Sequence, residues 1–434
     1  MPSPLFGDAP AHWRQDRRQF LAMLGAAAVL PGLHAGGPAF AFRRATPDYP
    51  ATKAVLDRYV AERKVPNAVA AIGRAGAAPS FLQAGTITLD GSVPAGPDTL
   101  YRVYSMTKPV TGIAAMMLVE DGKLKLDQPL ADIFPEFGRM NVLTDAANSL
   151  DARPATNPIL IRHLLTHTAG LSYDIMGDQP LMRLYREEGI MPHQGLSDEP
   201  PKPRPANLTA FARKVASVPL LFEPGTTFFY SIGLDIAGAV IERVSGQSFE
   251  TFLERRLFDP LGMRDSFFTV PQDKIGRLGP VYVDTPQGIQ PKDAPPDSVY
   301  ARAPAFAYGG AGLVSSPRDF DRFLAMLLGE GILDGVRVMK TETARQAMSN
   351  LLPAGVPLPE DFGGGGFGAG GRVSLADEAS GQGAGTYGWG GAAGTIAWVD
   401  RKHSIRASGY IQKFPPGQDA FGNDLVPAIY RDLG

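Results

Sequence analysis

Cysteine is absent from all 434 positions. That excludes disulfides, thiolate nucleophiles, cysteine-ligated zinc and lipid attachment through a thiol. Net charge is nearly missing as well: 42 basic against 44 acidic side chains leave −2. A balance that small carries no electrostatic footprint for nucleic acid, so no nucleic-acid partner is expected. No internal repeat of solenoid or propeller period occurs. The apolar stretch near the N-terminus, Phe20 to Leu33, is interrupted by Gly25, Pro31 and Gly32. It is too short and too broken to span the ~30 Å of a bilayer core as a stable helix.

What is present points to a globular protein. Hydrophobic residues at 44% against 20% charged supply ample core for one large domain or two ordinary ones. Fifty glycines and 39 prolines imply many turns and long surface connections. Arg17-Arg18-Gln19-Phe20-Leu21, the short apolar stretch and then Ala39-Phe40-Ala41 form the layout of a cleavable leader over residues 1–41. The paired arginines resemble the twin-arginine type, so a periplasmic or secreted location is expected, with cleavage near Ala41 and no membrane anchor afterwards. The competing interpretation is an ordinary amphipathic first helix.

Val55, Leu56, Tyr59 and Val60 predict a helix over 49–64, followed by strands at 68–74 and 80–89. Helices separated by proline-rich loops fill the middle, the clearest loop being Pro192 to Pro205. Thr395 to Val399 and Ser404 to Gln412 predict two strands joined by the turn Asp400-Arg401-Lys402-His403. A sheet assembled from both ends of the chain, with a helical lobe against it, follows from this order. The cleft between two such lobes is a usual place for a ligand.

Tyr104-Ser105-Met106-Thr107-Lys108 contains Ser-x-x-Lys. Residues at i and i+3 share a helix face, so the Lys108 ammonium can sit beside the Ser105 hydroxyl. Val110, Ile113, Ala114, Met117 and Leu118 continue as a buried face until Asp121-Gly122. Ser105 is therefore expected at the N-terminus of a buried helix, where free N–H groups favour developing negative charge. A serine hydroxyl needs a neighbouring base, and the motif alone is more often that of a helix-capping serine with a solvated lysine.

Two further segments favour catalysis. Phe229-Tyr230-Ser231-Ile232 precedes an amphipathic helix, Gly233 to Val244. A phenol with an ordinary pKa of ~10 becomes a useful base only beside a cation. Tyr387-Gly388-Trp389-Gly390-Gly391-Ala392 precedes the 395–399 strand. Glycines at a strand edge let a substrate approach the backbone, where an N–H can help Ser105 form an oxyanion hole.

In this order the three motifs resemble the serine β-lactamase and penicillin-binding-protein superfamily, most closely class C β-lactamases and family VIII carboxylesterases. Ile161 to Leu171, Asp259-Pro260-Leu261-Gly262-Met263 and Gly309-Gly310-Ala311-Gly312-Leu313 also match, and the likeness runs from about Thr52 to about Gln412. The resemblance implies an α+β, β-lactamase/transpeptidase-like hydrolase domain over 47–420. Its α/β lobe would be roughly 47–104 and 300–434, and its helical lobe roughly 105–299. It implies Ser105 as nucleophile, Lys108 and Tyr230 as the base system, and the N–H groups of Ser105 and Ala392 as the oxyanion hole. Trp389, Gly390 and Gly391 would line the substrate, and no cofactor is expected.

Two departures bear on the substrate. Class C enzymes place asparagine two residues after the tyrosine, where this chain has Ile232. Lactamases and peptidases carry Lys-Thr-Gly where this chain has Trp389-Gly390-Gly391, and tryptophan cannot pair with an anionic carboxylate. Neutral esters or small amides are therefore the expected substrates, with weak lactamase activity. The alternatives are a β-lactamase, a D-amino-acid peptidase or a non-catalytic penicillin-recognising sensor. His163 and His167 have the i, i+4 spacing of a helical zinc pair, but Leu164 occupies the place of the zincin glutamate. No metal site is expected. Substrate selection is assigned to variable loops such as 174–205 and 352–384.

Overall fold

The computed structural model of the protein describes residues 48–193, 203–415 and 421–434. The expected leader and residues 194–202 of the proline-rich loop lie outside the described residues. The first helix, α1 (Pro50–Ala61), starts on a proline whose fixed φ suits a first helical turn. Its leading N–H groups find an acceptor far away in sequence: the Asp432 carboxylate takes hydrogen bonds from Ala51 N (2.9 Å) and Thr52 N (2.7 Å). Asp432 belongs to the last helix, α5 (Phe421–Leu433), which packs beside α1.

Between them lies the sheet. Strands β1 (Asn67–Arg74) and β2 (Ser80–Gly85) come from the first part of the chain. Strands β3 (Gly366–Phe367), β4 (Arg372–Val373), β5 (Tyr387–Gly391), β6 (Thr395–Asp400) and β7 (Ile405–Tyr410) come from the last. All seven pair antiparallel in the order β3-β4-β5-β6-β7-β1-β2. The α+β architecture with a sheet built from both chain ends is therefore the one the sequence indicates.

Alternation of side chains assigns the two faces of the sheet. Ala68, Ala70 and Ile72 pack with Trp398 under Leu56, Tyr59, Phe421 and Leu425 of α1 and α5. Val69, Ala397 and Val399 point the other way, into the main core shared with Val110, Ile113, Phe320 and Phe323. Both faces are covered, so β1 is buried along almost its whole length. A buried ion pair, Arg406 Nε to Asp321 Oδ1 at 2.8 Å, ties β7 to helix α4 (Pro317–Leu328), which packs on this second face.

Helices α2 (Thr107–Glu120) and α3 (Gly233–Ser245) pack against each other on the far side of that core. Each ends on a glycine in the left-handed region, Gly122 (φ 70°) as the sequence indicates and Gly246 (φ 69°).

Three expectations need correction. The strand expected at 80–89 ends at Gly85, and the chain then turns through a single bridge, Thr86 to Pro94. The segment 352–384 is not only loop: it carries β3 and β4, two-residue strands among glycines with no apolar run to announce them. Finally, β5 is not an edge strand. Its neighbour β4 pairs with it only at Tyr387 and Gly388, however, so Trp389, Gly390 and Gly391 keep one side without a strand partner.

Candidate active site

Ser105 does not open α2 itself. It sits in a 3-10 turn, Tyr104–Met106, that feeds the helix. Tyr104 has φ 42°, in the left-handed region that a bulky residue rarely adopts. Its ring is buried with Ala392 and Ala393 and meets Tyr300 edge-on, centroids 6.4 Å apart. Thr107 secures the turn by donating to Tyr104 O (2.6 Å) and accepting from Leu313 N (3.1 Å). Strain of this kind survives only where surrounding contacts over-determine it.

Lys108 enters one helical step later and is wholly buried, while Ser105 keeps 5% of its surface exposed. Lys108 Nζ donates to Ser105 Oγ at 3.3 Å and to Gly310 O at 2.8 Å. Tyr230, also wholly buried, comes from the loop before α3, and its hydroxyl hydrogen-bonds to Ser105 Oγ at 2.7 Å. The lysine nitrogen lies 4.6 Å from the Tyr230 ring centroid and 5.5 Å from that of Tyr173. Hydroxyl, ammonium and phenol thus converge from positions up to 125 residues apart.

Strand β5 closes one side. Trp389 Nε1 donates to the Tyr230 hydroxyl at 3.4 Å, and its ring packs near Phe362 and Phe367. Gly391 abuts the Val103 carbonyl, two residues before Ser105, so closely that no side chain fits between them. Gly390 lies between these two in the strand. Ala392 is in the turn after β5, buried against Tyr104. Among the described residues, neither the Ser105 nor the Ala392 N–H has a backbone acceptor.

The two histidines do separate local work. His163 lies in the short helix Ile161–Leu165, where its Nδ1 accepts the Leu160 N–H at 3.1 Å. Burial, assisted by Arg162, pushes its pKa down to about 4. His167 lies beyond that helix at φ 57°. Its Nδ1 accepts the Ser231 N–H at 3.1 Å, and its ring supports Tyr230 at 4.7 Å. Burial and the nearby Lys108 hold His167 well below the usual range, so the ring is neutral.

Sequence reasoning missed Asp235. It is fully buried in the first turn of α3, where its Oδ1 accepts the Gly310 N–H at 2.8 Å. Burial raises its pKa to about 7 against the opposing pull of Lys108. Ile232, in the place of the class C asparagine, is buried and offers Lys108 no hydrogen bond. The lysine's backbone acceptor is Gly310 O. The 309–313 stretch had matched the superfamily, but nothing in a run of small residues signals a lysine acceptor.

Comparison with known proteins fits this geometry. The Beta-lactamase family model matches residues 52–430. The chain belongs to the beta-lactamase family. Among its relatives, a lovastatin esterase from Penicillium rubens is 33% identical over 358 residues, 77% of this chain and 85% of the relative. Esterase EstB from Burkholderia gladioli is 32% identical over 366 residues, 80% and 86% of the two chains. Of solved structures, EstCE1, described as a hydrolase with promiscuous acyltransferase activity, superposes with a TM-score of 0.72 at 26% identity, covering 88% of this chain and 98% of that one. The match places this beta-lactamase-family chain among serine hydrolases with esterase relatives.

Proposed function

We propose that the protein hydrolyses neutral carboxylic esters or small amides through an acyl-enzyme on Ser105. Tyr230, entering the step as a phenolate stabilised by the Lys108 ammonium beside it, takes the Ser105 proton as Oγ attacks the carbonyl carbon. The N–H groups of Ser105 and Ala392 receive the oxyanion, an arrangement in which each donor is worth on the order of a hundredfold in rate. Collapse expels the alcohol or amine, which leaves with the proton held by Tyr230. Water then attacks the acyl group, Tyr230 accepts its proton, and the acid is released as Ser105 is re-formed. Trp389 Nε1 donates to the phenolic oxygen and would steady it while it carries negative charge.

The observation that carries this reading is the 2.7 Å and 3.3 Å approach of the Tyr230 hydroxyl and Lys108 ammonium to one buried serine. The preference for neutral substrates rests on Trp389, an uncharged side chain at the position of the superfamily's carboxylate-binding lysine. The esterase relatives support ester cleavage as the reaction. Turnover of p-nitrophenyl acetate and butyrate, with little cephalosporin hydrolysis, is expected of the wild type. Ser105→Ala should abolish it; ester turnover persisting in that variant overturns the assignment.

We also propose that the catalyst works outside the cytoplasm, on the strength of Arg17-Arg18 and Ala39-Phe40-Ala41. Intact mass of the protein purified from its natural compartment tests this, and retention of Met1 refutes it.

A further inference from the structure

Gly310 is engaged on both sides. Its N–H goes to Asp235 Oδ1 at 2.8 Å, and its carbonyl accepts from Lys108 Nζ at 2.8 Å. A Cβ on Gly310 would fall 2.5 Å from Asp235 Oδ2, so the carboxylate lies directly over this backbone position. The preceding Gly309 is held in the same way: its carbonyl accepts from Thr111 Oγ1 of α2 at 2.7 Å, and a Cβ there would meet Leu234 O of α3 at 2.5 Å. The loop is therefore clamped between the two helices that deliver Lys108 and Asp235.

We propose that Asp235 is a positioning residue for Lys108: its carboxylate holds Gly310, whose carbonyl fixes the ammonium beside the Ser105 hydroxyl, and its negative charge balances that ammonium. This rests on the serine-hydrolase reading above.

Two observations favour a role for the charge beyond the hydrogen bond. Among the described residues, no carboxylate makes an ion pair with Lys108; its polar contacts are Ser105 Oγ and Gly310 O. Asp235 Oδ2 is buried without a hydrogen-bond partner. An asparagine would supply the same acceptor to Gly310 N–H without the penalty of burying a charge, so a buried carboxylate here needs an electrostatic justification. Lys108 is the cation that provides it. The other titratable groups facing Asp235 are Tyr173, Tyr308 and His193, the last hydrogen-bonded through Nε2 to Asp174 at 2.8 Å.

Burial raises the Asp235 pKa to about 7. The carboxylate is present above that pH and is lost as pH falls through it. Wild-type kcat should therefore rise with pH through about 7. Asp235→Asn, which keeps the acceptor and removes the charge, should lower kcat about tenfold to a hundredfold with KM nearly unchanged, and should flatten the acidic limb. Asp235→Ala should be worse still. Gly310→Ala, which pushes against Oδ2, should lower kcat and displace the limb.

The experiment is a pH profile of kcat and KM on p-nitrophenyl butyrate for wild type, Ser105→Ala and these three variants, with melting curves to check folding. Ser105-dependent turnover in which Asp235→Asn reproduces wild-type kcat and profile overturns this proposal alone. A wild-type kcat that is flat from about pH 5.5 to 8 does the same, even if every variant fails to fold. Turnover that survives Ser105→Ala overturns the hydrolase reading, and this proposal with it.

Discussion

Gly391→Ala tests how β5 and the nucleophile are held in register. Gly391 lies between the Val103 carbonyl, two residues before Ser105, and the Thr395 hydroxyl. An alanine Cβ would sit about 1 Å inside ordinary contact with both oxygens, an overlap that well-packed cores relieve only by shifting backbone. Thr395 Oγ1 can rotate, but the Val103 carbonyl is held, because it accepts the Met106 N–H of the turn that presents Ser105. The strand must therefore retreat from the nucleophile, taking Trp389 and the Ala392 N–H with it. Misplacement by about 1 Å costs on the order of a hundredfold in rate, and overpacking costs roughly 1–3 kcal/mol of stability. The assay is kcat/KM on p-nitrophenyl acetate beside a thermal melt. At neighbouring Gly390 an added Cβ meets only Thr395 O at 3.4 Å, an ordinary contact, so Gly390→Ala should melt like wild type. Full activity in Gly391→Ala, with an unchanged melt, would refute the account of how β5 is seated.

Tyr230→Phe removes the 2.7 Å contact to Ser105 and should lower kcat by about 10²–10⁴ while the fold survives, as p-nitrophenyl ester kinetics will register. Asp321→Ala strands the buried Arg406 guanidinium and should cost about 3–5 kcal/mol in urea unfolding. A loss under 1 kcal/mol would show that the Ala75 and Ala77 carbonyls suffice for Arg406. His163, pushed down to about 4 by burial, stays neutral in the fold while the unfolded chain takes a proton near 6.5. Stability should therefore fall by roughly 3 kcal/mol as pH drops from about 6.5 to 4, and His163→Gln should blunt that slope in denaturant titrations at each pH.

Much of the site was legible because its chemistry lies in short local spacings. Ser105 and Lys108 are three apart on helical geometry, Tyr230 stands just before a helix, and the β5 glycines precede a strand rich in β-formers. The sheet was legible from its four longest strands. What stayed hidden depends on contacts between distant segments. Asp235 looks like an acidic residue favouring a helix N-terminus, and only packing against Gly310 makes it the carboxylate behind the lysine. His163 and His167 read as structural from the sequence, but the left-handed backbone that turns the His167 ring under Tyr230 leaves no local signal. Strands β3 and β4, two residues each among glycines, gain their pairing from neighbours, β4 from β5 and β3 from β4, and not from any propensity of their own.

The placement of β7 between β6 and β1 has a consequence in time. Arg406 reaches the Ala75 carbonyl across 331 positions of sequence. At roughly 5–20 residues per second, β1 waits about 15 to 70 seconds on the ribosome before its second neighbour emerges. Until then it has only β2 for company, and an apolar strand edge is open to any chain that passes. Yield in the cell should thus depend on what shields that edge while the message is still being read.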